Sequence, residues 1–386
     1  MPKLRAALTV ATAMAAVLAA PPSTAARPDP LRPRQWTLDR IHAPAAWRFS
    51  TGRGVLVAVI DSGVDLRQPD LRGKLVVAKG ADLSDPKGCL DNHCHDDGPQ
   101  DLYGHGTGMA SIIAASRDNG IGMAGVAPDA RVLPVRVDSA HSPMTVRRVA
   151  SAIRFAADHG ARVINMSIGF AELPYELSSN GVSAGSAYAE EQGVDALYAA
   201  VEYAWQKGAV LVAASGNGWP STGPVPGVTA QGVQPGKPEC NVPALHPLVL
   251  CVGAVDRGDV HTYYSDYRTL HPEMLIVGPS GRDYGGGAMP ESVAACTDRV
   301  LTAWVVRSPR ACPAGLPEGY SYISGTSSPT AMVAGVAALL AAQGRRNTEI
   351  VRVLRETASD LGPPGTDPVY GRGMLDALAA VTAARG

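Results

Sequence analysis

The sequence predicts an α/β protein in three layers: a mostly parallel central sheet with helices on both faces. Three observations carry this. Largely apolar runs of strand length recur, at Val57-Ala58-Val59-Ile60, Val163-Ile164-Asn165-Met166 and Ala209-Val210-Leu211-Val212-Ala213-Ala214, the second interrupted only by Asn165. Such runs, rather than alternation, mark strands buried on both faces, as in parallel sheets. Helical stretches at 106–115, 145–159 and 194–207 alternate with them, the order that builds a parallel sheet through crossover connections. Finally, the runs end in small polar motifs, Asp61-Ser62-Gly63, Ser167-Ile168-Gly169 and Ser215-Gly216-Asn217-Gly218. Open α/β sheets carry their functional groups at such strand ends.

Bulk composition is consistent with this. The chain has 386 residues, 46% of them hydrophobic and 18% charged, with a net charge of −1. That length buries a sizeable core. A near-zero charge argues against nucleic acid or an anionic membrane as the main partner. Residues 1–26 read as a secretory signal peptide, with Lys3 and Arg5 ahead of an apolar run at 6–20 and small residues at 21–26. The alternative is an uncleaved anchor, for which the run is short. Residues 27–34, rich in Pro and Arg, read as a flexible lead-in, and by length 35–386 could form one large domain or two smaller ones. No later stretch is long enough to span a bilayer. Six cysteines in an exported chain suggest disulfides. Their spacing groups them as Cys89 with Cys94, Cys240 with Cys251 and Cys296 with Cys312, although six cysteines allow 15 connectivities.

Taken in order, 54–60 is a buried strand. The polar loop 89–97 holds Cys89, His93, Cys94 and His95, which invites a zinc reading. Export favours a disulfide that would use both sulfurs. Residues 106–115 form a helix with His105 at its start. Gly120-Ile121-Gly122-Met123-Ala124-Gly125 matches the dinucleotide fingerprint in form only, because it follows a helix and leads into the strand 131–137. Residues 145–159 form an amphipathic helix, 163–169 a strand, 170–193 an insertion, 194–207 a helix and 209–214 a strand. A Pro/Gly-rich loop at 218–238 precedes a strand at 247–255. Residues 281–317 read as irregular, broken by a short strand at 300–306. At 323–340 a Gly-Thr-Ser turn runs into an apolar helix, with Ser328 as N-cap and Pro329 as first helical residue. Helices at 348–357 and after 377 close the chain.

Ser327 stands just before that apolar helix, where the dipole and free N–H groups favour developing negative charge. A serine is a nucleophile only with a base in reach. The chain supplies His105 at the start of one helix and Asp61 at the end of one strand. Acyl transfer needs this set: a hydroxyl, an imidazole and a carboxylate that fixes the imidazole tautomer. The chain order Asp61, His105, Ser327 is also the order of the triad in subtilisin.

Val57 to Gly63, Tyr103 to Gly108 and Ile323 to Leu340 together resemble the subtilisin-like serine proteases, the subtilases, from about Gln35 to Val381. The short entry before Asp61 leaves no room for a folded inhibitory pro-domain and is similar to the mycosin branch, without that branch's C-terminal membrane anchor. The resemblance implies the three-layer subtilisin-like fold and a serine endopeptidase that uses Asp61, His105 and Ser327 with no cofactor for chemistry. It implies that Asn217 completes an oxyanion hole with the Ser327 N–H, and that Ser167, Ile168 and Gly169 form the edge on which an extended peptide lies. It also places Asp70 and Asn119 at positions that supply oxygens to a structural calcium in relatives. The sequence departs from the family in having Ser328 and Pro329 directly after the serine, and Ala331 where a proline usually stands. The expected partners are protein or peptide substrates of a secreted monomer that leaves the membrane after leader cleavage.

Two rival classes remain open at this level. A subtilase fold could serve only for peptide binding, or the chain could be an exported metal-binding protein built on Cys89 to Asp97. Acyl transfer to an acceptor other than water would use the same triad.

Overall fold

The computed structural model describes residues 27–79, 81–84, 98–138, 144–170, 193–218, 239–267, 269–282, 296–305, 312 and 315–384, with the backbone of 176–178 and 181–183. The leader at 1–26 and the cysteine and histidine loop at 89–97 lie outside the described residues.

The strands are β1 (Leu56–Asp61), β2 (Arg131–Arg136), β3 (Val163–Met166), β4 (Glu176–Ser178), β5 (Gly181–Ser183), β6 (Val210–Ala214), β7 (Val249–Val255), β8 (Leu275–Pro279), β9 (Val300–Ala303) and β10 (Tyr320–Ile323). The helices are α1 (Trp36–Arg40), α2 (Ala43–Ala46), α3 (His105–Ala114), α4 (Val146–Asp158), α5 (Val194–Gln206), α6 (Ser327–Ala342), α7 (Asn347–Glu356) and α8 (Ala377–Thr382).

Six strands make one fully parallel sheet in the order β2-β1-β3-β6-β7-β8. Strand residues alternate between two cores. Val57, Val59, Val163, Val212 and Val252 face one, with α3 and α6. Ala58, Ile60, Ile164, Leu211 and Ala213 face the other, with α4 and α5. Both faces are covered, which is why the strands read as largely apolar runs. Helix α4 is amphipathic and capped by Thr145, whose hydroxyl accepts the Arg148 N–H. Helix α6 packs on α3 and on five strands of the sheet, and is buried from Ser327 through Ala341. A helix apolar on all sides belongs in such a place.

Several boundaries differ from expectation. β8 and β10 were not anticipated from sequence. β10 pairs antiparallel with β9 outside the main sheet, and β9 falls within the short strand expected at 300–306. The apolar helix begins at Ser327, not after it. Thr326 occupies the N-cap position, Ser328 is not the cap, and Pro329 is the third helical residue. A proline is tolerated there because the first four N–H groups of a helix have no intrahelical partner. The stretch expected as a flexible lead-in is fastened to the body. The Arg27 N–H donates to the Asp118 carbonyl at 3.0 Å, and Asp29 and Leu31 are buried. Disulfides join Cys240 to Cys251 and Cys296 to Cys312, two of the three expected local pairs.

The tightest fit inside α6 is at Gly335, where an added Cβ would lie 2.6 Å from the Val126 Cβ. Alanine at this site gains about 1 kcal/mol of helix propensity, whereas overpacking a dense core costs about 1–3 kcal/mol. Gly335→Ala is therefore expected to destabilise the fold, read as a lower urea midpoint at unchanged slope.

Candidate active site

The site forms along the edge where the parallel strands end. β1, β3 and β6 are neighbours, and Asp61, Ser167 and Asn217 lie at or just beyond their C-terminal ends. The strand order reverses at β1, flanked by β2 on one side and β3 on the other. Crevices in open α/β sheets open at such a point.

Asp61 is 2% exposed. Its two oxygens lie 2.8 and 3.0 Å from His105 Nδ1, and its Oδ1 also accepts the Ser62 N–H at 2.7 Å. A carboxylate on Nδ1 fixes that nitrogen as the protonated one and makes Nε2 the basic nitrogen. The His105 side chain is 35% exposed, so the ring spans from the buried acid to the open side of the edge.

This pairing needs an unusually close approach of α3 to β1. An added Cβ on Gly106 would lie 2.0 Å from the Gly63 carbonyl oxygen and 3.1 Å from the Asp61 Cβ. Gly63 itself has φ of 98°, and a Cβ there would clash with the Pro99 carbonyl at 2.4 Å. Glycine at both positions lets the backbones touch.

Ser327 and His105 are the first residues of α6 and α3, which pack on each other. Ser327 is 8% exposed. Its hydroxyl donates to the Ser167 carbonyl at 3.0 Å, and the Ser167 hydroxyl donates to the Ser327 carbonyl at 2.9 Å. The expected peptide edge is thus brought directly against the serine. Ser167 to Gly169 continues β3 beyond the ladder, and the Phe170 N–H then donates to the Val242 carbonyl at 2.9 Å.

Asn217 is held by the turn that precedes Ser327. Its carboxamide oxygen accepts the Thr326 N–H at 2.9 Å and the Thr326 hydroxyl at 3.1 Å. The Thr326 hydroxyl also accepts the Gly216 N–H at 3.3 Å. With its oxygen engaged in this way, the amide end of Asn217 is the part able to donate to a reacting group. Thr326 is a site residue that sequence reasoning missed. The unusual Ser328-Pro329 pair leaves this turn intact: Pro329 packs on β8, where a Cβ on Gly278 would lie 2.8 Å from the Pro329 Cβ. The Ser328 hydroxyl is buried without a hydrogen-bond partner among the described residues.

A second cluster gathers around Asp70. Its Oδ2 accepts the Tyr320 hydroxyl at 2.7 Å and the Met123 N–H at 3.1 Å, while Oδ1 is buried without a partner among the described residues. The Asn119 side chain lies beside Asp70 and favours its charged form, and its Oδ1 accepts the Ile121 N–H at 2.7 Å. Asp29, not anticipated from sequence, joins the cluster. Its carboxylate accepts the N–H groups of Asp118, Asn119 and Gly120. Burial pushes Asp70 up to about 6 and raises Asp29 as well. Among the described residues no group of three or more His, Cys, Asp or Glu side chains could hold a metal by itself, so any cation here would depend on amide and carbonyl oxygens too.

An Asp–His pair, a serine heading the adjacent helix and an asparagine fixed beside it, on a doubly covered parallel sheet, define the class of subtilisin-like serine hydrolases. The chain belongs to the subtilase family, whose model matches residues 52–373. It is 36% identical over 338 residues to the thermophilic serine proteinase of Bacillus sp. (strain AK1), covering 87% of this chain and 64% of that protein. It is 33% identical over 348 residues to thermitase of Thermoactinomyces vulgaris, covering 90% and 96%. Mycosin-3 of Mycobacterium tuberculosis is 33% identical over 377 residues, covering 89% and 70%. Among solved structures, a protease of Pseudoalteromonas arctica superposes with a TM-score of 0.68 at 26% identity, covering 92% of this chain and 99% of that one.

Gly106→Ala tests the close approach. The methyl must push α3 away from β1 and stretch the Asp61–His105 contact. Misplacement by about 1 Å can cost roughly a hundredfold in rate. The expected result is a loss of about that size in kcat/KM on a chromogenic peptide, with circular dichroism unchanged.

Proposed function

We propose that the chain is a secreted serine endopeptidase that hydrolyses peptide bonds in proteins or peptides through an acyl-enzyme. The observation that carries this reading is the Asp61–His105 pair facing the helix that Ser327 heads. In the proposed cycle the Ser327 hydroxyl turns from the Ser167 carbonyl to His105 Nε2, loses its proton there and attacks the substrate carbonyl. The vacated Ser167 edge, with Ile168 and Gly169, takes up main-chain bonds from the extended substrate. Asn217 and the Ser327 N–H donate to the oxyanion. His105 then protonates the leaving amine, and water repeats the sequence to release the acid. Asp61 orients His105 and stabilises the imidazolium when it forms. No cofactor enters the chemistry.

Secretion is supported by the leader pattern and by two disulfides, which persist in oxidising compartments. No described helix is long and apolar enough to cross a membrane.

The expected ranking of variants follows from these roles. Ser327→Ala and His105→Ala should fall to near background, roughly a millionfold in turnover. Asn217→Leu should lose about 2.7–4 kcal/mol of barrier lowering and keep measurable activity; both magnitudes are those of subtilisin itself. Hydrolysis of a denatured protein and labelling by a fluorophosphonate read this directly. Wild-type turnover by Ser327→Ala would overturn the assignment, and a wild-type protein that binds peptides without labelling would identify a binding protein instead.

We further propose that a calcium ion is held at Asp70, through its orphaned Oδ1, and at the Asn119 carboxamide oxygen, turned from its present partner. Hard oxygen donors suit this ion. Its charge would offset two buried carboxylates. Burial raises Asp70 from an ordinary 3.8 to about 6, so without a cation the fold favours its protonated form only below about pH 6. The metal-free fold then loses stability as pH rises from about 4 to about 6. At a hundredfold excess over Kd a bound ion adds about 2.7 kcal/mol. EGTA should lower the melting temperature of the wild type at pH 8 and leave that of Asp70→Asn unchanged; equal wild-type melting with and without EGTA would remove calcium from the account.

A further inference from the structure

We infer that Asp101 is a positioning residue for the Asp61–His105 pair, acting through the hydroxyls of Ser62 and Thr107. The inference rests on the peptidase reading above. Asp101 lies four residues before His105 and is 1% exposed. Its Oδ1 accepts the N–H groups of Tyr103 at 2.8 Å and Gly104 at 2.9 Å, and the Ser62 hydroxyl at 3.0 Å. Its Oδ2 accepts the Thr107 N–H at 3.0 Å and the Thr107 hydroxyl at 2.6 Å. Five donors thus converge on one buried carboxylate.

Both hydroxyls accept in turn. The Ser62 hydroxyl takes the Gly106 N–H at 3.0 Å, and the Thr107 hydroxyl takes the Asp65 N–H at 2.8 Å. The network therefore grips the backbone on both sides of His105, at Gly104 and Gly106, and ties it to the chain that follows Asp61. Ser62 is the shared member. Its N–H holds Asp61 Oδ1 at 2.7 Å while its hydroxyl links Asp101 to Gly106.

An ordinary helix cap would explain only part of this. Gly104 holds the N-cap position of α3 and has φ of 101°, and a carboxylate that only satisfied first-turn N–H groups would have no need of Ser62. The bond from the Ser62 hydroxyl to Asp101 instead joins the residue just after β1 to the loop that leads into α3. It joins the two elements whose separation sets the Asp–His distance. The glycines at 63 and 106 permit the close approach, and the Asp101 network fixes its register.

Two substitutions separate positioning from folding. Ser62→Ala removes the crossing bond and leaves the Tyr103, Gly104 and Thr107 donors on Asp101. Asp101→Asn places an amide where donors already point, so it disturbs the whole network. Measured well below each melting temperature, Ser62→Ala should lower kcat about 10- to 100-fold with KM changed less than about twofold, as expected when an interaction made in the transition state is lost. Fluorophosphonate labelling of Ser327 should slow by the same factor. Asp101→Asn should lose at least as much, and the double variant should lose no more than Asp101→Asn alone, because both act through one network. Asp376→Ala, which removes the cap of α8, serves as the structural control and should lower the melting temperature without changing kcat. Ser62→Ala with wild-type kcat and labelling, in a wild type that itself labels, would overturn this inference alone. A wild type that neither labels nor turns over would overturn the peptidase reading and this inference with it.

Discussion

Everything at the site depends on how near α3 comes to the end of β1. An imidazole reaches a carboxylate at 2.8 Å only if the two backbones that carry them nearly touch. The Gly63 carbonyl and the Gly106 α-carbon provide that contact, since no side chain fits between them. The rest of the molecule serves the same proximity. α6 lies beside α3 against the sheet, so its first residue is carried to the same edge. The depth of α6 in the core makes Ser327 a rigidly placed hydroxyl and not a loop residue. Groups on rigid elements hold the tolerances that catalysis needs better than groups on loops.

The oxyanion side is built by a different logic. Asn217 follows β6 and Thr326 precedes α6, 109 positions away. One carboxamide oxygen accepts two donors from Thr326, and the Thr326 hydroxyl reaches back to the Gly216 N–H. The turn that precedes Ser327 thereby orients the residue proposed to complete the oxyanion hole. A shift of the turn therefore acts on Ser327 and Asn217 together.

Much of the fold was legible because burial on both faces writes a simple signal. Val57 to Ile60 and Val210 to Ala214 carry no polar residue for a sheet covered on both sides to reject. α4 was equally plain, with apolar positions on one face and Thr145 ahead of them. β8 was missed because five residues ending in Gly278 and Pro279 look like a loop, and β10 because a Tyr-Ser-Tyr-Ile tract pairs outside the main sheet. The start of α6 was misjudged because a first-turn proline is equally at home at the first or third position. Within the site, the motifs named Asp61, His105, Ser327 and Asn217. They did not name Thr326, Asp29 or Asp101, whose roles rest on hydrogen bonds that only the folded chain brings together.

The edge also solves an electrostatic problem. Asp61, Asp70 and Asp101 are nearly or wholly buried, and burial of a bare carboxylate is costly. The donors on them are backbone N–H groups, hydroxyls and one imidazole. A parallel sheet with crossover helices makes this possible, because helices α3 and α6 begin where β1 and β3 end, and helix starts present unpaired N–H groups and the positive end of the dipole. Neutral donors of this kind hold a carboxylate in place without a flexible cationic side chain. That leaves the imidazole of His105 as the one group on Asp61 whose charge can change during a reaction, which is the property a base beside a nucleophile requires.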